Sequence, residues 1–182
     1  MGMRALGRLF DIGVAVAPVD INTSDAATGK RISMVDCSGI TIVAITLVGG
    51  ADDLTFDVQQ HTAYTSGTSN DMDSTNSATG VTAWHIKAET ALDNDESWVE
   101  VTQSAASECT VVGATYGTQQ KLVAIYVGAD QLAAGYTHIS VNVACTTATS
   151  QLLAVLYLKH DLVVQRKAVN LPNLLNPGAA NA

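Results

Sequence analysis

The chain has 182 residues, 47% of them hydrophobic and 14% charged, with a formal net charge of −8. That length suits one well-cored domain with extensions and is short for two. The low charged fraction, against roughly 25% in an average globular protein, is made up by Thr, Ser, Ala and Gly, a composition of strands and turns. The charge is unevenly spread: residues 32–158 carry only Lys87 and Lys121 against thirteen acidic side chains, while both ends are mildly basic. An acidic body repels phosphates, so direct nucleic acid binding is not expected.

Cys37, Cys109 and Cys145 are far apart, odd in number and without CxxC spacing, and read as small buried residues rather than a disulfide frame or zinc site. No apolar run approaches the length of a membrane helix, so no membrane partner is expected. The opening "MGMRALGRLFDIGVAV" lacks the apolar core and cleavage site of a signal peptide, so the chain is expected to be made in a cytoplasm and used without secretion signals.

In chain order, residues 1–20 read as an N-terminal arm in which Leu6, Leu9 and Phe10 are candidate partner contacts beside Arg4 and Arg8. The β domain is expected over residues 21–165. "ITIVAITLVGG" and "LTFDVQQHTAY" read as two strands, the second with Phe56 and Val58 on one face and Thr55, Asp57 and Gln59 on the other. "GGADD" between them is a turn by composition, so the two are expected to form a hairpin. Residues 65–80 are almost wholly polar and read as an exposed loop.

"VTAWHIKAET" alternates, placing Val81, Ala83, His85 and Lys87 opposite Thr82, Trp84, Ile86 and Ala88, and "WVEVTQSA", "ECTVVGATY" and "QKLVAIYVGADQL" continue the β pattern. In "YTHISVNVACTT", Ile139, Val141 and Val143 face away from His138, Ser140 and Asn142. "LLAVLYLKHDLVV" has helical spacing at Leu152, Val155 and Leu156, but its Val and Tyr content and short length favour a final strand inside a sheet or at a subunit interface. Residues 166–182 then read as a C-terminal arm, with Arg166, Lys167, Leu171, Leu174 and Leu175 as candidate partner contacts between and beside Pro172 and Pro177. Many short strands with turns and no clear helix predict an all-β, antiparallel β-sandwich, jelly-roll-like, with extended arms.

Signals for chemistry are thin. The four histidines have no i, i+2 or i, i+4 pairing and read as exposed or interface residues, so no metal is expected. Asp93, Asp95 and Glu96 lack the glycine and the length of a calcium loop and read as a solvated turn, as do Asp52 with Asp53 and Asp71 with Asp73. No GxSxG, Walker-type loop or GxGxxG is present, so neither an enzyme nor a cofactor is expected. Trp84 and Trp98 with the loop 65–80 offer a carbohydrate-binding adhesive module as a competing possibility, although single tryptophans on strands more often pack in cores or interfaces.

The order of "DLTFDVQQHTAY", "WHIKAETALDNDESWVEVTQ", "ADQLAAGYTHISVNV" and "YLKHDLVVQR", over about residues 40–171, resembles a family of small structural proteins encoded in the virion gene clusters of tailed bacteriophages and prophages. The resemblance implies a non-enzymatic β protein at the capsid surface: a decoration, cement or minor capsid protein. It would be a homo-oligomer, a trimer being favoured, and its partner the major capsid protein. A tail or neck component is the alternative within the same class.

Overall fold

A computed structural model describes residues 5–21, 26–146 and 150–163. Its strands in chain order are β1 (Phe10–Ile21), β2 (Ala27–Thr28), β3 (Ile32–Ser33), β4 (Cys37–Thr46), β5 (Leu54–His61) and β6 (Ser69–Asp71). They continue with β7 (Val81–Glu89), β8 (Val99–Ala106), β9 (Glu108–Val111), β10 (Gln120–Gly128), β11 (His138–Cys145) and β12 (Gln151–Leu162). Helical structure is confined to single turns at Gly113–Tyr116, Ser74–Asn76 and Ala129–Gln131 among the described residues.

These strands form two antiparallel sheets. The first has the order β1-β12-β4-β10-β7-β8; in the second, β2 and β3 pair with β11, which pairs with β5, and β5 pairs with both β6 and β9. The sheets face each other across a common core that includes Ile42, Val123, Ile125, Val155 and Tyr157 from the first and Phe56, Val58, Ile139, Val141 and Val143 from the second. One tyrosine ties them together. Tyr157 on β12 donates its hydroxyl hydrogen to the Lys30 carbonyl (2.9 Å) and accepts the Val141 amide of β11 (3.1 Å), so the ring fills the core while its polar tip stays satisfied. The chain is thus an all-β antiparallel sandwich.

The period-2 readings hold on the second sheet: Phe56, Val58, Ile139, Val141 and Val143 point inward and are fully buried. The last strand is also a strand, seated between β1 and β4. Three expectations need correction. Residues 10–20 are not an arm, because β1 pairs with β12 from Phe10↔His160 to Ile21↔Gln151. The stretches containing β4 and β5 are not a hairpin: "GGADD" carries the chain from one sheet to the other, and each strand hydrogen-bonds to distant segments instead. The loop 65–80 is anchored, since Met72 is fully buried and Ala78 nearly so, and β6 extends the second sheet. On β7 a register shift between Val81 and Ala83 turns Val81 into the core, while Trp84 and Ile86 stay inward as the alternation predicts.

Candidate interaction surface

The outer face of the first sheet is where the molecule departs from ordinary patterning. β12 alternates strictly: Leu153, Val155, Tyr157 and Lys159 are buried, so Leu152, Ala154, Leu156 and Leu158 face outward. On an exposed sheet face those positions are usually polar. Here the neighbouring strands match them. In register, Val14 of β1, Leu156 of β12, Val43 of β4 and Ala124 of β10 form one row across the sheet. A second row runs Ile12, Leu158, Thr41, Tyr126, and a third Ala154, Ile45, Leu122. Ile12, Val14, Ile45, Leu152, Leu156 and Tyr126 are between 39% and 51% exposed, well above a core residue. Four strands at about 4.8 Å spacing and three rows at about 7 Å make a contiguous apolar patch of several hundred Å². A contiguous apolar patch of that extent is often functional on a protein surface.

The patch has structure at both ends. At one end, Tyr126 stacks on His160 with ring centroids 5.4 Å apart and planes 22° apart. Gly39 makes room for that ring: a Cβ there would lie 2.6 Å from the tyrosine side chain. At the other end, β1 breaks register between Val14 and Val16 and again between Val16 and Val19. The bulged strand leaves an apolar groove of about 240 Å³ whose lining includes Pro18, Val19, Ile45, Leu47, Leu152 and Ala154. The β7–β8 edge is a charged and aromatic rim, where the Lys87 ammonium sits 5.4 Å from the Trp98 ring centre and His85 meets the same ring edge-on.

Elsewhere, several polar groups hold the fold. His61, which the spacing alone reads as an exposed or interface histidine, is buried on the second sheet, each ring nitrogen 2.8 Å from a serine hydroxyl, of Ser69 and Ser140. Burial, with help from Arg31 and His138, pushes its pKa down to about 4, so the ring is neutral at pH 7. Lys121 is buried and donates to the carbonyls of Leu47, Tyr116 and Gln119 at 3.0–3.4 Å; burial lowers its pKa. Asp11 and Lys159 are cross-strand neighbours, both buried. Desolvation raises the Asp11 pKa, partly offset by its hydrogen bond from the Ile12 amide and by the Lys159 charge. Arg31 staples the loop after β5, donating to the carbonyls of Ala63 and Ser66 and to the Ser69 hydroxyl. Arg31 also lines a cavity of about 230 Å³ with mixed walls, among them Val14, Lys30, Ile32, Tyr64 and Tyr157.

The turn acids also find local roles. Asp53 accepts the Gly113 amide, and Asp73 accepts the amides of Thr75 and Asn76. Glu89 joins Asp93, Asp95 and Glu96, with one oxygen of each within 4.8 Å of the others. Asp95 chiefly, then desolvation and the other two carboxylates, raises the Glu89 pKa. The cluster is mostly exposed, and Glu96 is used as acceptor by the Asp93 amide, as in a solvated acidic turn.

Of the predicted contact residues, Leu6 is half-buried and packs against the core, Phe10 is the half-buried first residue of β1, and Leu9 is 64% exposed. Arg166, Lys167, Leu171, Leu174 and Leu175 lie outside the described residues. Trp84 and Trp98 do not form one platform: Trp84 is buried, its indole N–H donating to Gln103, and Trp98 stands on the outer rim. The outward residues of β4 and β10 join those of β12 only through the sheet register, which no single strand displays. The signal was present in β12, whose apolar run has no polar alternate from Leu152 to Leu158. No protein-family model, curated protein or solved structure matches the chain.

Proposed function

We propose that the protein is a structural component of a tailed-bacteriophage virion, a capsid decoration or minor capsid protein that acts as a homo-oligomer, trimeric by preference, on the major capsid protein at the capsid surface. The observation that carries the reading is the apolar outer face of the first sheet. A sandwich that buries its core between its sheets has no internal use for a second apolar face, which is what a subunit of a larger assembly requires. The alternation of the chain between sheets, from β4 to β5 and from β10 through β11 to β12, supports the jelly-roll form common among capsid proteins. The acidic body keeps the subunit away from packaged nucleic acid and directs it to protein partners.

The test is co-sedimentation of the purified protein with phage shells lacking it, with mass photometry of the free protein alongside. Saturable binding at a copy number compatible with shell symmetry is the expected result. A stable ring in solution with no shell binding would move the protein to the neck or tail, and a monomer that ignores shells would end the virion reading.

A further inference from the structure

We propose that the groove beside the β1 bulge seats the leucines of the C-terminal segment, residues 164–182, of a neighbouring copy of this chain. The proposal rests on the homo-oligomer part of the reading above and is independent of the virion part.

Three observations converge on that occupant. The groove is walled by aliphatic side chains, among them Val19, Ile45, Leu47 and Leu152, and opens onto the apolar rows of the sheet. Its complement is a short stretch rich in branched aliphatics. The segment 164–182 places Leu171, Leu174 and Leu175 within five positions. It also contains no acidic residue and carries Arg166 and Lys167, a sign opposite to that of the body it would approach.

Chain length selects the neighbour over the same molecule. The Val163 amide donates to the Asp36 carbonyl, so the chain leaves from the end of β12 far from the groove. The nearest groove residue on β12 is Ala154, nine positions back, or about 30 Å along the strand. Leu171, eight positions beyond Val163, spans at most about 29 Å even if the chain reversed at once. Leu174 and Leu175, 11 and 12 positions beyond Val163, span at most about 40 and 43 Å, so they could return only by a tight reversal into an extended chain, which leaves Leu171 outside the groove. Exchange of terminal segments between identical subunits is a low-cost route to closed oligomers and would let all three leucines seat together.

The test uses full-length protein. Two variants, Leu152→Cys and Leu174→Cys, are co-expressed, oxidised mildly and run on a non-reducing gel. Thr110→Cys, exposed on the second sheet, replaces Leu152→Cys in the control. Each variant is also oxidised alone to account for the native cysteines. A Leu152→Cys/Leu174→Cys co-expression that yields cross-linked dimer at least about ten-fold above the control supports the proposal. A link that forms only when both cysteines share one chain overturns the exchange, and no link in either arrangement overturns the seat itself. In parallel, the triple variant Leu171→Ser, Leu174→Ser, Leu175→Ser should sediment as a single chain, whereas an unchanged oligomer would overturn the proposal. Failure to bind shells leaves these readouts untouched, so the two ideas fail separately.

Discussion

The two sheets share one core but present opposite outer surfaces. On the second sheet the outward positions carry Thr55, Asp57, Gln59 and Asn142, and several of them bond to polar neighbours: Gln59 donates to Asp57 and Asp71, and the hydroxyls of Thr55 and Thr110 lie 3.2 Å apart. On the first sheet the equivalent positions carry Val43, Ile45, Leu156 and Leu158, which have no polar group to satisfy and no water to gain. Both sheets obey the same two-residue period, so the difference lies in what each expects to meet outside. The second carries a polar surface, and the first carries the apolar face proposed above as an interface.

That contrast is broken most directly by placing a charge on each face. If the apolar face makes the proposed homo-oligomer, Leu156→Asp should reduce it to single chains by sedimentation, since a carboxylate in an apolar contact removes a leucine's burial, about 1.5–3 kcal/mol, and adds desolvation. Thr55→Asp on the other face should leave the mass unchanged and the melting temperature nearly so. Equal behaviour of the two variants would erase the distinction. Next in size is Lys121→Met, which strips three carbonyls of their charged donor and should cost roughly 2–3 kcal/mol in denaturant unfolding. This end of the first sheet depends on a buried lysine that bridges three carbonyls, where the second sheet uses a buried histidine between two serines.

His61 sharpens the comparison through pH. Its folded pKa is about 4 against an ordinary 6.5, so below pH 6.5 the unfolded chain takes up a proton that the native ring refuses. Its contribution is therefore complete above pH 6.5 and is lost as pH falls towards 4. Asp11 and Asp57, raised chiefly by burial, act in the opposite sense, since their ionised forms are disfavoured in the fold and protonation relieves them. His61→Gln should therefore be less stable than the parent at pH 7 and lose less on acidification from pH 6.5 to 4. Parallel pH profiles for the two proteins would refute the assignment. The smallest effect expected is that of Trp98→Phe: loss of the solvent-quenchable part of tryptophan fluorescence, leaving the buried Trp84 signal, with a stability change below about 1 kcal/mol.

Much of the fold was legible because burial writes itself into a strand every second residue. Phe56 and Val58, Ile139 to Val143, and Trp84 with Ile86 could be assigned to the inside from their neighbours alone. Val81 escaped because a bulge shifts the period by one, and bulges leave no compositional mark here. His61 escaped because its partners, Ser69 and Ser140, are 8 and 79 positions away. The site was legible only as an oddity of β12, because a face is a property of several strands side by side.

By itself, the sequence determined that this is a protein of strands, which residues of most strands turn inward, and that its last strand is apolar on both sides. Those are local facts, set by side-chain volume and polarity at a two-residue spacing. Only the tertiary structure decided that β1 is a strand of the sheet, that β4 and β5 part into different sheets, and that Val14, Leu156, Val43 and Ala124 align in one row. Strand pairing is made by backbone N–H and C=O groups that every residue shares. The choice of partner is therefore settled by the packing of the whole core and not by any one segment.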